Sequence, residues 1–377
     1  MVDTGALLSI IWSVWIAICV YYAFLICSEK MTLKNNTFAC ILLLFWVINA
    51  ISYLLSPKHV SSYLFEVDTL IIFKSITIVL FSYFPFYHFA KQGDIDYKNI
   101  NWFIVTLFII DTIYLFNNKS FRKRDTLEEN NVLNQAYLFV HLIPLILLFL
   151  KRKYLFLGGA LAGLLVLMGA KRGAILCMAL EMLVFFIYLL KDNSYGKKYK
   201  GVILLLIVIL IGLGAYYLSG HEYVRDRLLN TGSDLDASGE IRSERYLVLW
   251  KIVFDRTNYV DLIFGYGFSQ TVPLGGGLAH QDWIEVLIDN GLVGLVLYVS
   301  MILMCIKKIL KWNKAVPNVV KYALICCVTN WCLSASYSIV YASRDAFVLF
   351  VTLGIIDGYI RRGQKYNNRT LLKRNAL

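Results

Sequence analysis

The chain has 377 residues, 59% of them hydrophobic and 16% charged, and carries a formal net charge of +12. Soluble domains are nearer half apolar and a quarter charged, so the composition excludes an ordinary soluble globule and fits an all-α polytopic membrane protein. The Lys and Arg residues lie in short segments between apolar runs, where a positive-inside bias accounts for them, so nucleic acid is not an expected partner.

A membrane span needs about twenty apolar residues. In chain order the candidate spans are Leu7–Cys27, Phe38–Leu55, Leu70–Ala90, Asn101–Phe116, Val132–Leu150 and Tyr154–Ala170. Gly173–Leu190, Gly201–Leu218, Trp283–Ile306, Val319–Tyr341 and Asp345–Ile360 follow, which makes about eleven. The first lacks a basic n-region and reads as a retained span, not a cleaved signal. The organisation is then N-terminal transmembrane helices over 1–218, a large loop containing short helices over 219–282, further transmembrane helices over 283–360 and a basic tail over 361–377. All eight Cys lie in or at the ends of apolar segments, with no metal-ligand spacing, and read as small hydrophobes.

Orientation follows from the short loops. Placing the basic tail in the cytoplasm puts about twenty-one Lys and Arg inside against eight in the short outer loops. The large loop and the tight turn at Lys171-Arg172-Gly173 are then extracytoplasmic. One outer loop, with Arg122, Lys123 and Arg124, is strongly basic, and a miscounted span or an anionic partner would each account for it.

The large loop is the polar part of the chain, and it ends in Leu278-Ala279-His280-Gln281-Asp282-Trp283-Ile284-Glu285. Asp282, Glu285 and Asp289 recur at i, i+3 and i+7, one stripe on a helix, with the first turn expected to point its acids out of the bilayer. They serve either chemistry or an ordinary acidic helix start favoured by the dipole. An imidazole titrates near neutrality, so His280 is a candidate base, the alternative being an inert loop residue. Arg242 and Arg245 precede Tyr246-Leu247-Val248-Leu249-Trp250, a run that reads as a short amphipathic helix. Arg172, between two closely joined spans, suits a lipid-borne phosphate or an interfacial snorkelling charge. Gly265-Tyr266-Gly267 and Gly275-Gly276-Gly277 permit a sharp approach of the loop to the membrane face, while Gly291 and Gly294 allow close packing inside the next span. Lys74, Asp111, His141 and Glu181 fall within spans and His88 and Asp357 near their ends, as interior hydrogen-bonding or coupling groups that would also suit a transporter.

Arg245, Leu247 and Trp250, then Ile263-Phe264-Gly265-Tyr266-Gly267-Phe268, then Ala279-His280-Gln281-Asp282-Trp283 and Gly291-Leu292-Val293-Gly294 form an ordered series. That order resembles the signature region of bacterial O-antigen polymerases (Wzy) and O-antigen ligases. Gly169-Ala170-Lys171-Arg172-Gly173 resembles the Ser-Arg-Gly turn of the same superfamily. The resemblance implies a multi-pass protein of the bacterial cytoplasmic membrane, acting on its outer face on oligosaccharides carried by undecaprenyl pyrophosphate. It implies no metal or other cofactor, with membrane lipid as surroundings and a chain-length regulator as an expected partner. Arg172, Arg242 and Arg245 would meet the pyrophosphate, His280, Asp282 or Glu285 would take the proton, and Trp250, Gly265 and Gly267 would support them. The expected activity is polymerisation of repeat units into O-antigen, capsule or exopolysaccharide. Transfer of finished polymer by a ligase, a glycolipid flippase and a structural membrane subunit are the alternatives.

Overall fold

The computed structural model describes residues 4–28, 36–61, 66–95, 97–117, 134–150, 152–169, 171–191, 237–255, 258–312 and 316–375, with 201 and 212 alone between them. In chain order the elements are α1 (Thr4–Ser28), α2 (Thr37–Leu55), β1 (His59–Ser61), β2 (Glu66–Asp68), α3 (Thr69–Phe81), α4 (Tyr83–Gln92) and α5 (Tyr97–Asn117). Next come α6 (Ala136–Phe149), α7 (Arg152–Gly169), α8 (Arg172–Lys191), α9 (Ala237–Phe254), α10 (Tyr259–Phe264) and α11 (Thr271–Gly275). The last are α12 (Asp282–Leu310), α13 (Asn318–Tyr337), a 3-10 turn at Arg344–Ala346 and α14 (Phe347–Asn375).

Among the described residues seven helices are long and apolar enough to cross a membrane, and Ala136–Phe149 and Leu157–Gly169 are shorter apolar helices. Lipid offers no partner to a backbone N–H or C=O, so apolar runs of this length are forced into helices. Ile10, Val14 and Phe24 on α1, Leu54 on α2 and Ile109 and Ile113 on α5 are exposed, as side chains facing lipid must be. The span expected at Gly201–Leu218 lies outside the described residues except for 201 and 212, as do the loop from 219 to 236 and the Arg122–Arg124 cluster. The last expected span is the start of α14, whose helix runs on into the basic tail.

The chain divides into two compact units, each discontinuous in sequence. The first comprises Met1–Asp94, Ser238–Ala315 and Ala335–Leu377. Here α3 and α4 make one span broken at Ser82, because Pro85 has no N–H and its ring would clash with the carbonyl of Phe81. Trp15 Nε1 donates to Ser82 Oγ (2.9 Å) at the break and Trp46 Nε1 to Thr77 Oγ1 (3.0 Å), so α1 and α2 each reach this span by a hydrogen bond. α14 lies along α4, close enough that a Cβ on Gly358 would run into that of Ala90.

The two ends of this unit differ. At one, Lys308 Nζ meets Asp357 at 2.5 and 2.6 Å, Tyr83 donates its hydroxyl to Asp357 (2.8 Å), and Asn36 Nδ2 donates to Tyr83 (2.8 Å). Asp357 is thus paired and hydrogen-bonded, the condition under which a charge is tolerated at membrane depth. At the other end are the close of α2, the α12 N-terminus, the 3-10 turn and an antiparallel β1–β2 hairpin in register His59↔Asp68, Val60↔Val67, Ser61↔Glu66. Asp68 caps α3 by accepting from Leu70 N (2.8 Å), Ser56 Oγ accepts from Phe268 N (2.8 Å), and Arg344 Nε donates to Ser75 Oγ (3.1 Å).

The second unit, Ile95–Ala237 with Val316–Ser334, is built on α6. All fourteen residues of that helix are buried, and α5, α7 and α8 pack on it. An all-round apolar helix belongs in such a position. Glu181 and His141, expected as interior groups, share a partner: Asn330 Nδ2 donates to Glu181 Oε1 (3.2 Å), and Asn330 also hydrogen-bonds His141.

Candidate active site at the start of α12

The face of α9 that carries Tyr246, Leu249, Ile252 and Val253 packs with Leu274 against Ala279, Ile284 and Ile288. This apolar contact holds α9 against the first turns of α12. Arg245, one residue before it, therefore reaches the glycine run: Nε donates to Gly275 O (3.0 Å) and Nη1 to Leu278 O (2.6 Å). A Cβ on Gly277, where φ is 153°, would stand 3.0 Å from the guanidinium, one on Gly275 would stand 3.0 Å from Leu249, and Gly276 is left-handed at φ 67°. Two of the five guanidinium N–H groups are used in these bonds, and the charge has no carboxylate partner among the described residues.

Beyond the clamp, His280 adopts φ 55°, a left-handed conformation uncommon outside Gly, Asn and Asp. Its backbone N–H donates to Glu285 Oε1 (2.9 Å), and Glu285 also accepts from the backbone of Ala279. The half-exposed His280 is thus fixed through its backbone from both sides, by Arg245 before it and by Glu285 after it.

The acid stripe is present, but it does not point out of the protein. Asp282, Glu285 and Asp289 are 0%, 3% and 6% exposed, and each gathers a different loop. Asp282 accepts from Val340 N (2.9 and 3.2 Å) and from the hydroxyl of Tyr298. Asp289 accepts from Ser269 N (3.0 Å), Thr271 N (2.9 Å) and Thr271 Oγ1 (2.8 Å). Buried carboxylates need such donors, and the loops at 269–271, 279–280 and 338–341 supply them. Tyr341 lies beside the stripe. Burial, and after it the nearby Asp289, Glu285 and Asp282, push its phenol well above the usual range, so it stays neutral.

Gly291 is not a packing glycine inside a straight span. It breaks α12 with φ 63° and ψ −162°, so two helices meet there. The break leaves carbonyls near the end of the first helix without their usual i+4 donors, and the Gly-Tyr-Gly loop supplies them: Tyr266 N donates to Ile288 O (2.8 Å) and Gly267 N to Asp289 O (3.2 Å). Gly265, at φ 83°, and Gly291 meet backbone to backbone, and a Cβ on either would enter the other's segment. Alanine at Gly291 is expected to cost more than about 3 kcal/mol, because it combines a conformation nearly restricted to glycine with backbone overlap. Thermal unfolding of the purified variant in detergent checks this; an unchanged midpoint would contradict the break.

The structure therefore brings His280, Asp282, Glu285, Arg245, Gly265 and Gly267 to one end of the first unit. Trp250 is turned to the outer face of α9, stacked on Phe254 with ring centroids 5.7 Å apart. Arg242 lies in α9, but its side chain is outside the described residues. Arg172 is the first residue of α8 and belongs to the second unit. Among the described residues no three His, Cys, Asp or Glu side chains are grouped as metal ligands. Sequence reasoning did not foresee the roles of Asp289, Gly291 and Ser56. One signal was available: Asn290-Gly291 is a turn dipeptide inside an apparent helix.

Residues 157–299 match the family model of the O-antigen ligases (Wzy_C). The match covers less than half of the chain, and it is to this stretch that the likeness to the O-antigen ligase family belongs. No curated protein matches the chain. The matched stretch takes in Arg172, Arg242, Arg245, Trp250, both glycine segments, His280, the three acids and the Gly291 break. It ends at Val299, one residue past Tyr298, whose hydroxyl is bonded to Asp282.

Proposed function

We propose that the protein is a glycosyltransferase of polysaccharide assembly that joins lipid-linked repeat units on the outer face of the bacterial cytoplasmic membrane. In this reading a hydroxyl of one repeat attacks the anomeric carbon of a saccharide carried on undecaprenyl pyrophosphate. A new glycosidic bond forms, the carbon–oxygen bond to the pyrophosphate breaks, and the proton of the hydroxyl passes to a base. The leaving group already carries two phosphates, so the chemistry asks for a cation and a base. Arg245 is assigned the first task and His280 the second. Arg172 and Arg242 stay in the proposal as cations expected to meet substrate phosphate, on sequence grounds. Asp282 and Glu285 are assigned to positioning, since their oxygens already accept backbone and hydroxyl donors.

The observation that carries the reading is the fixation of Arg245 and His280 on one segment, Gly275–His280, inside the stretch that matches the O-antigen ligase model. Transfer of finished polymer to a lipid or protein acceptor is the second reading, favoured by the family's description as ligases. A deletion strain separates them. Loss of the laddered polymer marks a polymerase, whereas polymer that accumulates unattached on its lipid carrier marks a ligase. Unchanged polymer and attachment would overturn both.

A further inference from the structure

Helix α9 has two apolar faces, and among the described residues only one of them is packed. Tyr246, Leu249, Ile252 and Val253 meet the start of α12, while Leu247, Trp250 and Phe254 are exposed on the other side, at i, i+3 and i+7. α10 continues the pattern, with Tyr259 80% and Phe264 61% exposed. Of the twelve exposed side chains described between Leu247 and Tyr266, nine are apolar or aromatic, and only Lys251, Asp255 and Asn258 are polar. A helix lying on a water-facing surface has the reverse ratio, and soluble surfaces rarely leave a contiguous apolar patch of this extent.

The position of the patch identifies what covers it. The α10 backbone is fastened at the α12 break, where the Ile263 carbonyl and the Gly265 N–H stand against Gly291. The residue after the break, Leu292, opens the exposed apolar stripe of the membrane-length part of α12, with Val296 and Leu303 further along it. The outer face of α10 is thus continuous with a lipid-facing helix surface at the level where that surface begins. Trp and Tyr are the residues enriched at this depth, and Trp250, Tyr259 and Tyr266 supply them. Lys251 has a stem long enough to keep its ammonium in the headgroup layer.

We propose that α9 and α10 lie in the membrane interface, with the Leu247–Phe254 face and the exposed side of α10 seated against phospholipid at the headgroup–acyl boundary. The proposal goes beyond the transfer reading and does not depend on it, because lipid contact is measured without turnover.

Photo-crosslinking tests it. Phe254, Tyr259 and, as a lipid-facing reference, Val296 are each replaced by p-benzoylphenylalanine in the full chain, which is placed in nanodiscs of phosphatidylethanolamine and phosphatidylglycerol. Irradiated protein is weighed intact by mass spectrometry. Phospholipid adducts at positions 254 and 259, within about threefold of the yield at 296, are expected of an interfacial element. Adducts at 296 alone would overturn the proposal. So would crosslinks from 254 and 259 to peptides of residues 192–236, to a second copy of the chain or to another protein, since each names a different cover.

Discussion

Alanine at His280 is expected to lower polymer formation about 10²–10⁴-fold, the usual contribution of a positioned base, while the protein still folds. The fold should survive because the segment is held through its backbone: the His280 N–H is bonded to Glu285, and the carbonyls before it to Arg245. Asparagine makes the sharper variant. It accepts the left-handed conformation that His280 adopts at φ 55° and lacks a proton-accepting nitrogen at neutral pH. His280→Asn should therefore keep or slightly raise the unfolding temperature and lose polymer as fully as His280→Ala. Laddering on gels read beside thermal unfolding gives the answer. If His280→Asn were active and His280→Ala only unstable, the residue would be structural.

Removal of Arg245 should be as costly to activity and more costly to stability. Loss of one preorganised charge-stabilising group takes about 10²–10³ from a rate. The same change leaves the carbonyls of Gly275 and Leu278 without their donors, which adds about 1–3 kcal/mol of destabilisation. Arg245→Lys divides the two effects. Lysine keeps the charge but cannot reproduce a planar fork spanning two carbonyls, so the variant should regain part of the rate and little of the loop's order. Turnover and thermal unfolding of the three proteins check this. Equal turnover by Arg245→Ala and the unaltered chain would remove the arginine from the site.

The sequence made the helices legible because lipid leaves an apolar run so few alternatives. It also placed the acid stripe, from its i, i+3, i+7 spacing, and a helix in the run after Arg245, although α9 begins eight residues before Arg245 and is apolar on two faces instead of amphipathic. Spacing identifies a face of a helix but not what that face meets. Asp282, Glu285 and Asp289 looked like an acidic helix start facing water, and they turn inward, where N–H groups meet them from the adjoining 279–280 segment and from loops twenty and fifty-eight residues away. The Gly291 break was hidden for a related reason: hydropathy runs on through it, and only the approach of Gly265 from outside the helix requires it. The hairpin at 59–68 has three-residue strands, too short for alternation to show. Pairings such as Lys308 with Asp357, or Glu181 with Asn330, join helices far apart in the chain and leave no local mark.

The most direct measurement uses the purified chain in nanodiscs with saccharide repeats on undecaprenyl pyrophosphate and no added nucleotide sugar. Glycosyl transfer on this site predicts saccharides of two or more repeats, one undecaprenyl pyrophosphate released for each bond formed, and neither product from folded His280→Asn protein. Failure of the unaltered chain to release the carrier, or full-length polymer from the His280→Asn and Arg245→Ala proteins alike, would contradict it.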